Sequence, residues 1–287
     1  MCIFLASCKN MVYIEGEGSY ITKEYDLKTD IALNIDNLCV IKDDRIIPIE
    51  VNINSGSTRR MEIYAKESLM DYINVDEALS ILSISAEPYI YFLTDKITIN
   101  IYGLKLTNII VNLTSLKVEE LGDNVVINLK KASTLSMGNV NVKSLNVTLD
   151  SYTTMNINQL VTTDFEANLS KESVLNVNQI TAKNSNIQIS NATCNIENSK
   201  ATTSKYNITN NGIVTVKGQT NSIDVNITGM AKYYGEHNVA ETATIIAAGE
   251  SYVEIYANKT INVIDTGAKE IRYFGDAIVT KTNILVK

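Results

Sequence analysis

An enzyme needs titratable groups that converge on one place, and this chain of 287 residues offers few of them. His237 is its one histidine. No nucleophile motif surrounds it, so it reads as an ordinary loop histidine rather than the base of a Ser-His-Asp site. Acid–base or lyase chemistry would need carboxylates, lysines or arginines side by side. The candidates are Asp150, Asp164, Lys171, Glu172, Asp224 and Glu236. They fall at different places in the repeat described below, which reads as solvated surface. Cys2, Cys8, Cys39 and Cys194 are far apart and show no CxxC spacing, so neither a zinc site nor a dense disulfide framework is indicated. No phosphate loop or calcium-binding nonapeptide repeat is present. No catalytic residue, metal or cofactor is expected.

Residues that could bind are more visible than residues that could react. Tyr234, Tyr252, Tyr256 and Phe274 cluster near the end of the chain, and exposed aromatic rings can pack against sugar rings or a partner surface. The alternative is that they cap the end of the fold or make a contact between copies. Asn156 and Asn176 belong to a column of polar residues. Such a column can be a structural ladder, and its amides can also meet a glycan.

Near the start, Leu5-Ala6-Ser7-Cys8 has the form of a bacterial lipobox, with small residues before a cysteine that would be lipidated. A lipid chain there would anchor the protein without spanning the membrane. The apolar stretch before it is shorter than the roughly 7–15 residues of a signal core. Either the true start lies upstream or the match is a short apolar tail, so residues 1–8 read as a truncated lipoprotein signal or as nothing special.

Composition narrows the partners. The balance of 25 basic against 32 acidic residues gives a net charge of −7, the opposite of the basic footprint that nucleic acid requires. Aliphatic and aromatic residues reach 45%, enough to bury a core. Mean hydropathy is only +0.01, and no run of about 18 apolar residues exists to span a bilayer. There are 33 asparagines, mostly after residue 100. That excess calls for a structural cause.

The cause is a repeat. Written in lines of nineteen or twenty from Val125 onward, the sequence aligns into apolar columns. One runs Leu129, Leu149, Leu169, Ile189, Ile208, Ile227, Ala247 and Asp265. A second, two positions earlier, starts with Ile127 and Val147 and ends with Ile245 and Val263. A third starts with Leu135 and Met155 and ends with Val253 and Ile271. A fourth starts with Met137 and Ile157 and ends with Ile255 and Tyr273, with Gly235 as its exception. Between the apolar positions lie polar ones, as in Met155-Asn156-Ile157, and a period of two means a strand with one buried face.

Units this short cannot bury their own apolar face, so they must stack. Equal spacing places like residues above like, which is parallel, in-register pairing. The expected fold is all-β: a right-handed parallel β-helix with coils of about 20 residues. Eight units at about 4.8 Å each would make a rod roughly 38 Å long. Polar columns should run along its outside, one through Asn128, Thr148, Asn168, Gln188, Asn207 and Asn226, another through Ser136, Asn156, Asn176, Asn195 and Thr215. Stacked amides bond along such columns.

The first hundred residues are less regular. Strands are expected near 31–35, 49–53, 61–64, 81–84 and 97–101, with one or two helical turns over 66–73. The domain reading is residues 9–100 as N-terminal strands and cap, covering an otherwise sticky first rung, and 101–287 as the β-helix repeats.

Several stretches then bear a family likeness. These are Gly16-Glu17-Gly18-Ser19 with Ile21-Thr22-Lys23-Glu24, Met61-Glu62-Ile63-Tyr64-Ala65, and Ile81-Leu82-Ser83-Ile84. At the end of the chain come Gly229-Met230-Ala231-Lys232-Tyr233, Ala247-Ala248-Gly249-Glu250-Ser251, and Gly267-Ala268-Lys269-Glu270-Ile271-Arg272-Tyr273-Phe274-Gly275. Here the sequence resembles the putative autotransporter adhesin head GIN domain family, a domain of unknown function in exported bacterial proteins. Members tend to place Ser-Gly-x-Gly at their turns, whereas this chain has 13 glycines and uses Asn, Ser, Thr and Lys there. The resemblance implies a right-handed β-helix, export to the periplasm or surface of a Gram-negative cell, and adhesion or polysaccharide binding. It brings no catalytic residues with it. The expected function is therefore a non-enzymatic, adhesin-like surface protein. Its expected partner is polysaccharide or another surface component, and it would meet a membrane only through a lipid anchor at Cys8. The rival readings are a carbohydrate-active enzyme on the same scaffold and a purely structural or assembly protein.

Overall fold

The structure is a computed structural model describing residues 11–28, 32–265 and 267–283. The chain packs as two compact units, Met1–Glu120 and Leu121–Lys287. Cys2, Cys8 and the lipobox lie outside the described residues.

The second unit is a β-solenoid of stacked parallel coils about 20 residues long. Its first coil consists of Asn124–Lys130 and Thr134–Asn141, and Ser144–Leu149, stacked on Asn124–Lys130, opens the next. Later coils are single long strands bent at their corners: Thr154–Ser170, Val174–Ser190, Thr193–Thr209, Ile213–Ile227 and Lys232–Ala247, then Tyr252–Asp265. Glu270–Phe274 and Ile278–Asn283 close the stack. The columns seen in the sequence are the register of the sheet. Leu149 pairs with Leu169, Leu169 with Ile189, Ile189 with Ile208 and Ile208 with Ile227, all parallel. Inward residues such as Leu149, Leu175, Ile187 and Val225 are essentially sealed from solvent. Each is worth roughly 1.5–3 kcal/mol of burial, and none could achieve it within one coil.

Two features adjust this tube. Tyr206 and Tyr233 occupy apolar columns and lie inside it, their ring centroids 5.2 Å apart. Smaller neighbours make room for them: Ser185 and Ser204 follow Phe165 in one inward column, and Cys194 stands where the previous coil has Leu175. Gly235, the exception in the fourth column, has the same origin. A Cβ there would lie 2.4 Å from Cε1 of Tyr233, so the ring of one residue takes the space of the other's side chain.

The turns form a column of left-handed backbone. Lys131, Ala132, Ser151, Tyr152, Lys171, Glu172, Asn191 and Asn210 all have φ between 50° and 63°, and Gly229 and Gly249 continue the line. A side chain in that conformation costs about 1–2 kcal/mol. Glu172→Gly should therefore stabilise the protein by about 1 kcal/mol, after allowing for glycine's greater freedom when unfolded. A urea titration checks it; an unchanged or lower midpoint would contradict it.

The first unit mixes pairing directions. Strand Arg60–Lys66 runs antiparallel to Tyr20–Asp26 and to Thr98–Tyr102. Thr98–Tyr102 is parallel to Ile49–Asn54, which is parallel to Thr114–Val118. The 3-10 helix Glu67–Tyr72 buries Leu69 and Met70. Ala32–Asp36 pairs parallel with Ile81–Ser85 and with Asn108–Asn112.

Candidate functional site

One flat side of the second unit carries most of the residues that the sequence singled out. It is built from the strand segments that begin each coil. Ser136 pairs with Asn156, Asn156 with Asn176, Asn176 with Asn195 and Asn195 with Thr215. The same column continues from Thr215 to Tyr234, from Tyr234 to Glu254 and from Glu254 to Arg272. Period-two alternation turns all of these outward, because Met155, Leu175, Val253 and their equivalents turn in. At about 4.8 Å per rung the column is roughly 34 Å long. Asn156 and Tyr234 therefore belong to one surface, a relation that their separation in the chain conceals.

At the middle of this face the amides form ladders. The Nδ2 of Asn176 donates to Oδ1 of Asn156 at 2.9 Å, and Nδ2 of Asn195 donates to Oδ1 of Asn176 at 2.9 Å. A second ladder runs alongside, from Asn178 to Asn158 and from Asn158 to Asn139, each bond 3.2 Å. Between them lies an open groove of about 540 Å³, with Asn156, Asn158, Asn176, Asn178, Asn195 and Glu197 among its lining residues. The column through Asn128, Thr148 and Asn168 is in register on another side of the coil. A third ladder links Asp164, Asn184 and Thr203, with bonds of 2.7 and 2.8 Å.

At the C-terminal end of the face the ladder gives way to rings and charges. Tyr234 and Tyr252 lie with ring centroids 5.7 Å apart. Arg272 caps the other side, its guanidinium carbon 5.3 Å from the centroid of Tyr252. Glu254 is 8% exposed; it accepts a hydrogen bond from the Tyr252 hydroxyl and lies 3.4 Å from Arg272. The bond to Glu254 pushes the Tyr252 phenol up to about 12, so it is a donor at any physiological pH. Arg272 also meets Glu270 at 2.7 Å. Tyr234, Tyr252 and Glu270 line a cleft of about 490 Å³, together with Met230, Lys232, Glu250 and Lys269.

Each ring predicted from sequence has a definite place. Tyr256 is in register with Phe274, and its ring edge borders Gly275, where a Cβ would stand 2.9 Å from Cε1. Both rings are half-buried. The close ring pair is Tyr234 with Tyr252, which sit in neighbouring columns of adjacent coils. Glu254, Arg272 and Lys232 were missed as site residues, although they occupy the outward positions two places from Tyr252, Glu270 and Tyr234. His237 is an exposed corner residue 3.3 Å from Glu236. Among the described residues no group of three His, Cys, Asp or Glu side chains could hold a metal ion. A larger groove, about 650 Å³, follows the turns past Tyr152, Lys171 and Asn191. Asp150, next to Ser151 of this groove, is held below the usual carboxylate range, first by the Ser170 hydroxyl and also by Lys171.

The family model described as putative auto-transporter adhesin, head GIN domain, matches residues 47–197 and 190–277. The chain belongs to this family. Its fold is shared with a putative adhesin from Parabacteroides merdae ATCC 43184, at 18% identity and a TM-score of 0.53, over 94% of this chain and 99% of that one. Two proteins from Parabacteroides distasonis ATCC 8503 are similar at 16% identity. One is a putative adhesin, with a TM-score of 0.47 over 95% of this chain and 97% of that one. The other is a putative lipid binding protein, with a TM-score of 0.46 over 95% and 96%. No curated protein matches the chain. Membership in the head GIN domain family places the protein among adhesin-like proteins of the cell surface or exterior. Among the described residues of this GIN domain chain, no helix is long and apolar enough to cross a membrane.

Proposed function

We propose that this GIN domain protein is a non-enzymatic surface adhesin whose flat coil face binds polysaccharide. The observation that carries the reading is the single outward column in which an amide ladder runs into Tyr234, Glu254 and Arg272. Aromatic rings present an apolar face to the C–H surface of a pyranose. Asparagine amides and carboxylates supply the fixed donors and acceptors that its hydroxyls need. A repeating polymer suits a repeating surface. Export to the periplasm or outer surface, with anchoring through a lipid on Cys8, fits this role.

The cleft also holds carboxylates and lysines, the ingredients of the enzymatic alternative. Of its carboxylates Glu270 is already engaged with Arg272, and the neighbouring Glu254 is engaged with Tyr252 and Arg272. This favours a rigid binding platform over acid–base turnover.

Affinity electrophoresis through gels containing purified bacterial cell-surface polysaccharides tests the proposal. Tyr252→Ala should weaken retention at least about tenfold, equivalent to about 1.4 kcal/mol. Asn176→Ala should weaken it by less, because it removes only part of a ladder. Equal retention of wild type and Tyr252→Ala would overturn the site. Release of new reducing ends that stops with Glu254→Gln would overturn the non-enzymatic part.

A further inference from the structure

The first unit carries a second array of rings, unused by the site described above. Its outward face is formed by strands Tyr20–Asp26, Arg60–Lys66, Thr98–Tyr102, Ile49–Asn54 and Thr114–Val118. Antiparallel pairing places Tyr64 beside Thr22 and Thr98, and Glu62 beside Glu24 and Asn100. Parallel pairing adds Asn52 next to Asn100 and Lys117 next to Asn52. Three tyrosines distant in the chain thereby share one face.

Each ring is held in place. Tyr20 and Tyr64 stack with centroids 5.0 Å apart and planes within 10°. Lys66 Nζ sits 4.5 Å from the Tyr20 centroid and donates to the Gly18 carbonyl at 2.9 Å. Arg60 lies 4.4 Å over the Tyr102 ring, and the Tyr102 hydroxyl donates to Glu62 at 3.2 Å. Between them Asn52 Nδ2 donates to Asn100 Oδ1 at 2.9 Å. The stack occupies one face of Tyr64, and the residue remains 38% exposed.

The charges on this face are matched. Arg60 meets Glu62, and Lys96 meets Glu50 at 2.8 Å. A matched face gives an anionic polymer no net attraction and gives a neutral, hydroxyl-rich ligand fixed donors and acceptors. Rings held upright beside amides are suited to take a pyranose on the open side of Tyr64. We infer that the outward sheet face around Tyr64, Glu62 and Asn100 is a second binding site, for a neutral saccharide, distinct from the Tyr234–Tyr252 cleft. This inference is independent of the reading given to that cleft.

The test follows tyrosine ring signals by NMR in the full chain labelled with 13C-tyrosine, with Tyr20, Tyr64, Tyr234 and Tyr252 assigned by single Tyr→Phe variants. The probes are the β-1,4-linked hexamers of glucose and of N-acetylglucosamine. The expected result is movement of the Tyr20 and Tyr64 signals with at least one probe. Tyr64→Ala should weaken that response at least tenfold, Tyr64→Phe should retain it, and Tyr252→Ala should leave it unchanged. Tyr20 and Tyr64 signals that stay fixed with both probes would overturn the second site, whatever Tyr234 and Tyr252 do. Movement that vanishes in Tyr252→Ala would also overturn it, because the response would then belong to the cleft. Fixed Tyr234 and Tyr252 signals alongside a moving Tyr64 would leave this site standing and count against the other.

Discussion

Gly218→Ala is expected to destabilise the protein by about 3 kcal/mol or more, well beyond an ordinary glycine-to-alanine change. Gly218 pairs with Ser199 of the preceding coil, just past a shift in register. Its φ is +126°, and a Cβ there would stand 2.1 Å from the Ser199 carbonyl oxygen and 2.5 Å from its nitrogen. Both are backbone atoms, so no side chain can swing aside, and the coils would have to separate locally. Gly138 provides the control: a Cβ there meets nothing within 4 Å, and Gly138→Ala should be nearly neutral. Chemical denaturation of both variants checks this. Equal stabilities would mean that the coils do not stack as closely as described.

The second large effect is alkaline. Burial pushes the Cys194 thiol up to about 12 from an ordinary value of 9.0. Burial also pushes the Tyr206 and Tyr233 phenols well above their usual 10.0. Above about pH 9 the unfolded chain therefore releases protons that the native chain keeps, and stability falls as pH rises. Each group contributes about 1.4 kcal/mol per pH unit. By pH 11 the thiol alone has lost two units' worth, about 3 kcal/mol, and the two phenols deepen the fall. Urea midpoints measured from pH 8 to 11 should fall steeply for the wild type. They should fall less for Cys194→Ala and for Tyr206→Phe, each of which removes one of the three groups. Identical slopes in all three proteins would contradict the buried assignment.

The solenoid was legible because its physics is periodic. A chain that must place one apolar side chain above another leaves that spacing in its sequence, and Leu149, Leu169 and Ile189 are both the pattern and the contact. Even the exception was a clue, since Gly235 interrupts its column where Tyr233 needs the space. Corners were harder to read. Asn158 bonds to Asn139 although Asn139 is in register with Gln159, so this ladder steps across columns. The first unit was hardest. Its antiparallel pairing joins Tyr20 to Tyr64 and Arg60 to Tyr102 across unequal distances in the chain, and no fixed spacing announces them.

The same logic explains how the proposed binding face was partly seen. Tyr234, Tyr252 and Asn156 could be placed outward by alternation alone. That Glu254 would be almost buried, joined to both Tyr252 and Arg272, depended on three coils meeting. The polar residues of adjacent rungs are chemically continuous only once the coils are stacked.

Isothermal titration calorimetry with the polysaccharide best retained in affinity gels, comparing wild type with the Tyr234→Ala/Tyr252→Ala double variant, tests the proposed role most directly. The account predicts measurable heat of binding for the wild type and at least about a hundredfold weaker binding for the double variant, close to 2.7 kcal/mol, with unchanged thermal unfolding. Wild-type and double-variant isotherms that superimpose would show that this face is not where the protein holds its ligand.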